Sequence, residues 1–481
     1  MIIKSIQGWV RSVAGRPPAA TAQAANLHYR RLAVGLTLAL ALSLGVPALA
    51  ADTLQWQTNR VSADLKGADL FQTLERIALA TGWHIYVEPE TARKVSVKFE
   101  NLPPGEALHL LLGDLNFALV PVTNASPKLF VFRTSMKNAT QLVRPKVAAD
   151  AGKARIIPNE LIVRLKPGAK IDELAKLLGA KVVGRIDSMN AYRLQFEDQA
   201  GAEAARAQLA SNPDVLSVDS NYALDRPAGP LPAAGASVPP IDLHLKPSDP
   251  NGRIIVGLVD TALQPLCGDL NQFLLKPISV AGDAQLDPTA PSHGTAMAET
   301  MLRSIQSMTK GNTSVQILPV DVYGPNPTTS TFDVANGVVQ AVNGGARVLN
   351  LSLGSQGDSS FLHTVIQDVK KQNIPIFAAA GNEPVTTPFY PAAYPEVDAV
   401  TAIDQGKVAS YANRGSFVSL GAPGTSVVCY GGNDYFVVGT SASSAFASGI
   451  AAGYMDSTQN GVSQMQSFMQ NSFGVQMAPS Q

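Results

Sequence analysis

Between residues 253 and 404 the chain repeats one pattern, a short run apolar at nearly every position followed by a stretch whose apolar residues recur at helical spacing. The short runs are RIIVGLVD, VQILPVDVYG, ARVLNLSLG, IPIFAAAGN and DAVTAID, and stretches such as TFDVANGVVQAVNGG and FLHTVIQDVKKQN lie between them. A strand apolar on both sides has to be covered on both sides, and strands linked through helices run parallel. The pattern therefore predicts an α/β fold built on a doubly wound parallel sheet. In such sheets the working residues collect at the carboxyl ends of the strands. Three of these ends carry polar groups that a core would exclude: Asp260, Ser352 and Asn382.

Two further residues join them. His293 stands in PSHGTAMAETML at the start of an amphipathic helix, and Ser441 stands in VVGTSASSAFASGIAAG at the mouth of a buried one. Taken singly, Asp260 and Ser441 read as helix caps and Asn382 as a turn residue. Taken together they carry the chemistry of acyl transfer. A serine hydroxyl is a poor nucleophile until an imidazole removes its proton, and the imidazole needs a carboxylate to fix its tautomer and balance its charge. A serine at a helix start also has free backbone N–H groups beside it that can face a developing oxyanion. The small residues that follow let the helix pack close beneath the cleft.

The blocks GLVDTALQP, SHGTAMAE, VLNLSLGS, AAAGNE and GTSASSAFASG, in that order over residues 250 to 460, resemble those of the subtilisin-like serine proteases, the subtilases. The resemblance implies Asp260 as the orienting carboxylate, His293 as general base and then acid, Ser441 as the nucleophile and Asn382 as the side-chain donor to the oxyanion. It implies that Ser352, Leu353 and Gly354 pair with an extended peptide backbone. Phe389, in TTPFYP, falls where the primary specificity pocket ends in that family, and a ring there would favour small side chains. The chain departs from the family pattern at Ala262 and Glu299, where glycine is usual, and at Ala442 and Ala445, which replace Met and Pro. None of these removes a catalytic group. Many subtilases bind calcium in a loop of the histidine helix, but TMLRSIQSMTKGNTS lacks the Asp and Asn ligands a hard cation needs. Calcium is left as a candidate, with Asp283 and Asp287 as its ligands or as solvated loop carboxylates.

Upstream lie two smaller α+β units. Residues 55–135 alternate strand and helix in RVSADLK, DLFQTLERIALATG, HIYVEP, KVSVKFE, PPGEALHLLLGDL, FALVPV and KLFVFRT. This region resembles the short N-terminal module of secretins and TonB-dependent receptors, which implies an envelope protein as its partner. His84 and His109, within it, lack metal-ligand spacing and read as structural. A polar linker at 137–158 leads to residues 159–224, whose strand-helix-strand-strand-helix-strand order is ferredoxin-like. Its ends, ELIVRLKPG and NPDVLSVDSNY, are similar to the inhibitory propeptides of subtilases, which occupy the protease cleft. A Pro-rich linker at 225–250 precedes the catalytic region at 251–475.

The N-terminus has basic residues up to Arg31, then LAVGLTLALALSLGVPALA with small residues at Ala48 and Ala50. That is the form of a secretory signal over residues 1–50, cut after Ala50, with an uncleaved anchor as the competing reading. The two cysteines, Cys267 and Cys429, either pair in an oxidising compartment or lie as buried thiols. The formal net charge of +0 gives no electrostatic reason to expect nucleic acid. The expected protein is an exported, periplasmic or secreted serine endopeptidase, made as a zymogen and acting on polypeptides. The alternative is a degenerate subtilase-fold binding or assembly protein of the envelope.

Overall fold

The computed structural model describes residues 53–57, 60–81, 83–89, 91, 93–122, 125–143, 154–233, 239–248 and 252–477. The expected signal at 1–50 lies outside the described residues. No helix among the described residues is long and apolar enough to cross a membrane.

The apolar runs form an eight-stranded sheet. Ile255–Asp260 sits inside it, paired in parallel with Gln316–Asp321 on one side and with Val348–Leu351 on the other. Ile376–Ala379 and Asp398–Asp404 continue the parallel order outward. The chain thus winds first one way and then the other from the strand that ends at Asp260. At that reversal the adjoining loops part and leave a crevice.

Each face carries its own apolar layer. His293–Thr309, Thr440–Thr458 and Val462–Phe473 cover one, with Met301, Ile305, Ile450 and Met465 packed on Val256, Val348 and Phe377. Thr331–Asn343 and Ser360–Lys371 cover the other, with Phe332, Val338, Phe361 and Ile366 packed on Val259, Leu349 and Leu351. Alternate residues of a strand point to opposite faces, so Val348 and Leu349 serve different layers. Asn350 follows Val348 onto the face of the Thr440–Thr458 helix. There a Cβ at Gly449 would strike Ser304 Oγ and lie 2.6 Å from the Met301 carbonyl oxygen. Only glycine permits the two central helices of that face to approach so closely.

In the propeptide-like region, Ile156–Leu165, Lys181–Ile186, Ala191–Gln195 and Val215–Asp225 form one antiparallel sheet, with Ile171–Leu177 and Gln199–Ala210 as its helices. The catalytic region extends this sheet through Thr328–Ser330, pairing Ala223 with Ser330 and Asp225 with Thr328. Asn221 Oδ1 accepts from Thr331 Oγ1 at 3.0 Å and from the Phe332 N–H at 3.1 Å, at the start of Thr331–Asn343. The Asp219 carboxylate accepts from the N–H groups of Ser360 and Phe361, at the start of the next helix. Both contacts satisfy donors that a helix leaves open at its first turn. Arg193 adds a bond from Nη1 to Asp333 Oδ2 at 2.7 Å.

The earlier region folds as two sheets around Leu74, Ile77, Leu108 and Leu111. Its helices are Leu70–Thr81 and Pro104–Leu112, as the periodicity predicts. Two strands in it, Thr53–Gln57 and Gln141–Val143, have no counterpart in the expected pattern. The second lies in the stretch read as a polar linker.

The Pro-rich connector also differs from a free linker. Leu231–Pro232 pairs with Tyr435 and Phe436, and His244–Leu245 pairs in parallel with Asn312–Thr313. Proline lacks an N–H but keeps its carbonyl, and the residues between prolines still seek partners. Cys267 and Cys429 are joined as a disulfide with Cα atoms 6.0 Å apart, which resolves the open choice in favour of pairing.

Candidate active site

Asp260 ends its strand fully buried. A buried carboxylate is costly unless its lone pairs are used. Here Oδ1 accepts the Thr261 N–H at 2.7 Å, and His293 Nδ1 lies 2.8 Å from Oδ1 and 3.0 Å from Oδ2. A carboxylate on Nδ1 makes that nitrogen the proton carrier and leaves Nε2 able to accept a proton. On the neighbouring strand Asp321 is in register with Asp260. Burial, and to a lesser degree the charge of Asp260, push the Asp321 carboxyl up, while the N–H groups of Tyr323 and Gly324 pull the other way.

The loop after Asp260 and the start of the histidine helix are bonded together. Ser292 caps the helix, accepting the Thr295 N–H at 3.1 Å and donating to the Ala262 carbonyl at 2.7 Å. Thr261 Oγ1 accepts the Gly294 N–H at 2.8 Å. Gln264 Oε1 accepts the Ser292 N–H at 2.6 Å, while its Nε2 donates to the Asp287 and Ala290 carbonyls at 2.6 Å and 2.9 Å. The alanine at 262 therefore leaves the turn tied down through its carbonyl. Thr261, Gln264 and Ser292 escape a sequence reading because only the folded chain brings the two blocks together.

Ser441 is the second residue of the helix Thr440–Thr458, behind Gly439 with φ 145. That φ is one an L side chain rarely adopts, so glycine is required where the strand turns into the helix. Asn382 Oδ1 accepts the Thr440 N–H at 2.8 Å and Thr440 Oγ1 at 3.1 Å. With Oδ1 engaged, Nδ2 is the end of the amide left to donate, and it lies 3.0 Å from where a Gly439 Cβ would stand.

Beside Ser441 lies a buried polar chain. Asn350 Nδ2 donates to Ser352 Oγ at 2.8 Å, and Asn350 Oδ1 accepts from Ser444 Oγ at 2.9 Å and Ser448 Oγ at 3.0 Å. The serines four apart on the helix are thus ligands for one strand residue. They supply a second reason for the run of small residues. Glu299, at a usual glycine position, is also buried; it accepts the Cys429 N–H at 2.9 Å and pairs with Arg303 at 3.2 Å.

His293, Ser352, Leu353, Gly354, Asn382 and Ser441 all line one cleft of about 770 Å³. Asp260 stands behind His293. The structure therefore brings every candidate site residue to one place. Ser441 Oγ donates to the Ser352 carbonyl oxygen at 3.2 Å, a different partner from the His293 ring expected from the resemblance. Phe389 lines the same cleft. Asp287 spends Oδ1 on the Thr289 N–H and hydroxyl, which hold its carboxyl below the usual range. Asp283 is exposed, and no cluster of three or more His, Cys, Asp or Glu among the described residues could hold a metal.

A carboxylate on an imidazole, sharing a cleft with a helix-start serine and an amide donor at the carboxyl edge of a parallel sheet, defines the class of serine hydrolases. Comparison with known sequences is more specific. The family model of the subtilases matches residues 251–477, and that of the fervidolysin N-terminal prodomain matches residues 144–221. A thermophilic serine proteinase of Bacillus sp. (strain AK1) is 28% identical over 349 residues, 68% of this chain and 86% of that protein. Subtilisin Savinase of Lederbergia lenta is 32% identical over 186 residues, 36% of this chain and 69% of that protein. Among solved structures, fervidolysin from Fervidobacterium pennivorans, a keratinolytic enzyme related to subtilisin, aligns at 20% identity with TM-score 0.49, covering 65% of this chain and 56% of that one. The chain belongs to the subtilase family of serine proteases and carries a prodomain-like region ahead of the protease region.

Proposed function

We propose that the protein is an exported serine endopeptidase made as a zymogen, with Asp260, His293 and Ser441 as its catalytic residues. The observation that carries this reading is the Asp260–His293 contact, at 2.8 Å, in one cleft with Ser441 and Asn382. A peptide lies extended along Ser352–Gly354, held through its backbone. Rotation about the Cα–Cβ bond of Ser441 carries Oγ from the Ser352 carbonyl to His293 Nε2, which takes its proton as Oγ attacks the peptide carbonyl carbon. Asn382 Nδ2 and the Ser441 N–H receive the oxyanion. The imidazolium, steadied by Asp260, then protonates the leaving amine, and water repeats the sequence to release the acid and restore Ser441. No step needs a metal, and calcium, common in the family, is assigned no part in the chemistry.

The prodomain-like region acts as an internal chaperone and inhibitor until the connector is cut. Its carboxylate and amide contacts to the first turns of two catalytic helices support docking of this kind. Residues 1–50 direct export to the periplasm or beyond, and residues 55–135 locate the enzyme at an envelope partner. A scaffold that had lost its chemistry would have no use for a buried carboxylate aimed at an imidazole.

The test is hydrolysis of denatured casein by purified full-length protein beside its Ser441→Ala variant, with a gel to follow self-cleavage near residues 222–240. Casein fragments and a processed band from the wild type alone support the proposal. Folded wild type that does not process itself, and that leaves casein intact once an added and then inactivated protease has removed the prodomain region, contradicts it.

A further inference from the structure

We infer that Phe389 closes the pocket beneath the residue on the acyl side of the cut bond, so that this protease cuts after small residues: glycine, alanine and serine. The inference rests on the peptidase reading above and adds the substrate class to it.

The position of the pocket follows from the chemistry. The carbonyl carbon must meet Ser441 Oγ, its oxygen must meet Asn382 Nδ2, and the N–H of the same residue faces the strand at Ser352. An L residue held by those three groups has one direction left for its side chain, into the gap between Ser352–Gly354 and the segment Ala379–Gly381. Phe389 stands in that gap. A Cβ on Gly354 would lie 2.8 Å from Phe389 Cδ1, and one on Gly381 would lie 3.2 Å from Phe389 Cγ. The ring therefore touches both walls at the points where neither has a side chain of its own.

The backbone holds the ring there. Ser355 and Tyr390 exchange N–H···O bonds of 2.9 Å and 2.7 Å, and the Ala393 N–H donates to the Phe389 carbonyl at 2.8 Å. Tyr390 is thus tied to the residue that follows Gly354, and Phe389 itself to the loop beyond. A benzyl group so placed fills the space that a phenylalanine or leucine of a substrate would need. Closely packed protein tolerates such overlap poorly.

A second observation points the same way. The connector crosses this cleft between two pinned points: Arg226 N donates to the Pro327 carbonyl at 2.9 Å on one side, and Leu231 pairs with Phe436 on the other. Between them the chain reads Pro227, Ala228, Gly229, Pro230, all lining the cleft with Ser441. This stretch of the connector, which shares the cleft with Ser441 in the intact chain, carries no side chain larger than a proline ring. Pro227 and Pro230 also lack an N–H to offer the Ser352 carbonyl. That carbonyl instead receives the Ser441 hydroxyl at 3.2 Å.

The experiment measures kcat/KM on fluorogenic peptides identical except on the acyl side of the cut bond, where they carry Gly, Ala, Ser, Leu, Phe or Tyr. The same preparation is treated with a fluorophosphonate probe, which reports a working Ser441 whatever the pocket accepts. The expected result is a labelled wild type that prefers alanine to phenylalanine by about tenfold or more. In Phe389→Ala the kcat/KM of the phenylalanine and tyrosine peptides relative to that of the alanine peptide should rise about tenfold or more. Phe389→Leu, which keeps an apolar side chain at this site, should show a smaller shift in the same direction. A labelled wild type that prefers large aromatic residues overturns the inference and leaves the peptidase reading standing. A labelled Phe389→Ala or Phe389→Leu enzyme with an unchanged profile also overturns it. Absence of labelling in processed wild type speaks against the peptidase reading itself, and the inference falls with it.

Discussion

Ser352 and Ser441 are bonded to each other twice: Ser352 Oγ donates to the Ser441 carbonyl at 3.0 Å, and Ser441 Oγ donates to the Ser352 carbonyl at 3.2 Å. The first bond ties the helix that carries the nucleophile to the strand that would hold a peptide. The second occupies, with the nucleophile's own proton, an acceptor that faces the cleft. Ser441 and the Ser352 segment are therefore positioned as one unit, and Asn350 donates to Ser352 Oγ.

Replacing that asparagine tests the unit. Asn350→Ala leaves the buried Ser444 hydroxyl without its partner and takes one of two partners from the hydroxyls of Ser352 and Ser448, which keep the Ser441 and Ser444 carbonyls. An unsatisfied buried polar group costs about 1–3 kcal/mol, so denaturant unfolding should show a loss within that range. Turnover should fall as well, because Ser352 Oγ, which anchors the Ser441 carbonyl, loses the Asn350 donor that orients it. Stability and kcat both at wild-type levels would mean that the network does not position the nucleophile.

Asn382→Leu keeps the side chain's size but removes Nδ2, the donor proposed for the oxyanion, together with Oδ1, which accepts the Thr440 N–H and hydroxyl. Turnover, kcat, should drop by a factor on the order of 100–1,000, the magnitude known for the oxyanion donor of subtilisin, with KM nearly unchanged. Steady-state kinetics on a peptide substrate would decide. A rise in KM at constant kcat would place Asn382 in ordinary substrate binding instead.

The disulfide joins residues 162 apart in sequence, and neither cysteine lines the cleft. Cys267→Ser with Cys429→Ser should lower stability by about 2–4 kcal/mol, measured by denaturant unfolding. Activity on a peptide substrate below the unfolding transition should persist. Loss of activity in a still folded double variant would show that the bridge shapes the site.

Glu299 gives a pH signature. Burial raises its carboxyl above the ordinary glutamate value, against the opposing pull of the Cys429 N–H and Arg303. The folded chain thus holds this proton more tightly than the unfolded one. The corresponding stability is fully present below the ordinary value, about 4.3, and is lost as pH rises through the raised one. Glu299→Gln has no such proton and should show no such loss. The Tm of the wild type minus that of the variant should decline as pH rises from about 4 to 7; a flat difference would contradict the assignment.

Much of this was legible in the chain itself. Continuous apolar runs ending in Asp260, Ser352 and Asn382 announce a parallel sheet with its chemistry at one edge, because a core has no other reason to tolerate those groups. The helices at Leu70–Thr81 and Thr331–Asn343 follow from their period. What stayed hidden depends on partners distant in sequence. Gln264 and Asn350 carry no local signal, since their roles consist of bonds to Ser292, Ser444 and Ser448. The connector's prolines suggest a free linker, yet Leu231 finds a strand at Phe436. Gln141–Val143 is too short for a period to show. The bond from Ser441 Oγ to Ser352 depends on a hydroxyl's orientation, which no sequence pattern encodes.

The central claim is that Ser441 is made nucleophilic by a His293 ring held by Asp260. Its most direct measurement is peptide mapping by mass spectrometry after reaction of the processed protein with a fluorophosphonate. One adduct is expected, on Ser441, and it should disappear in His293→Ala while that variant keeps its wild-type circular dichroism. An adduct that persists at full rate in His293→Ala, or that forms on a different serine, would contradict it.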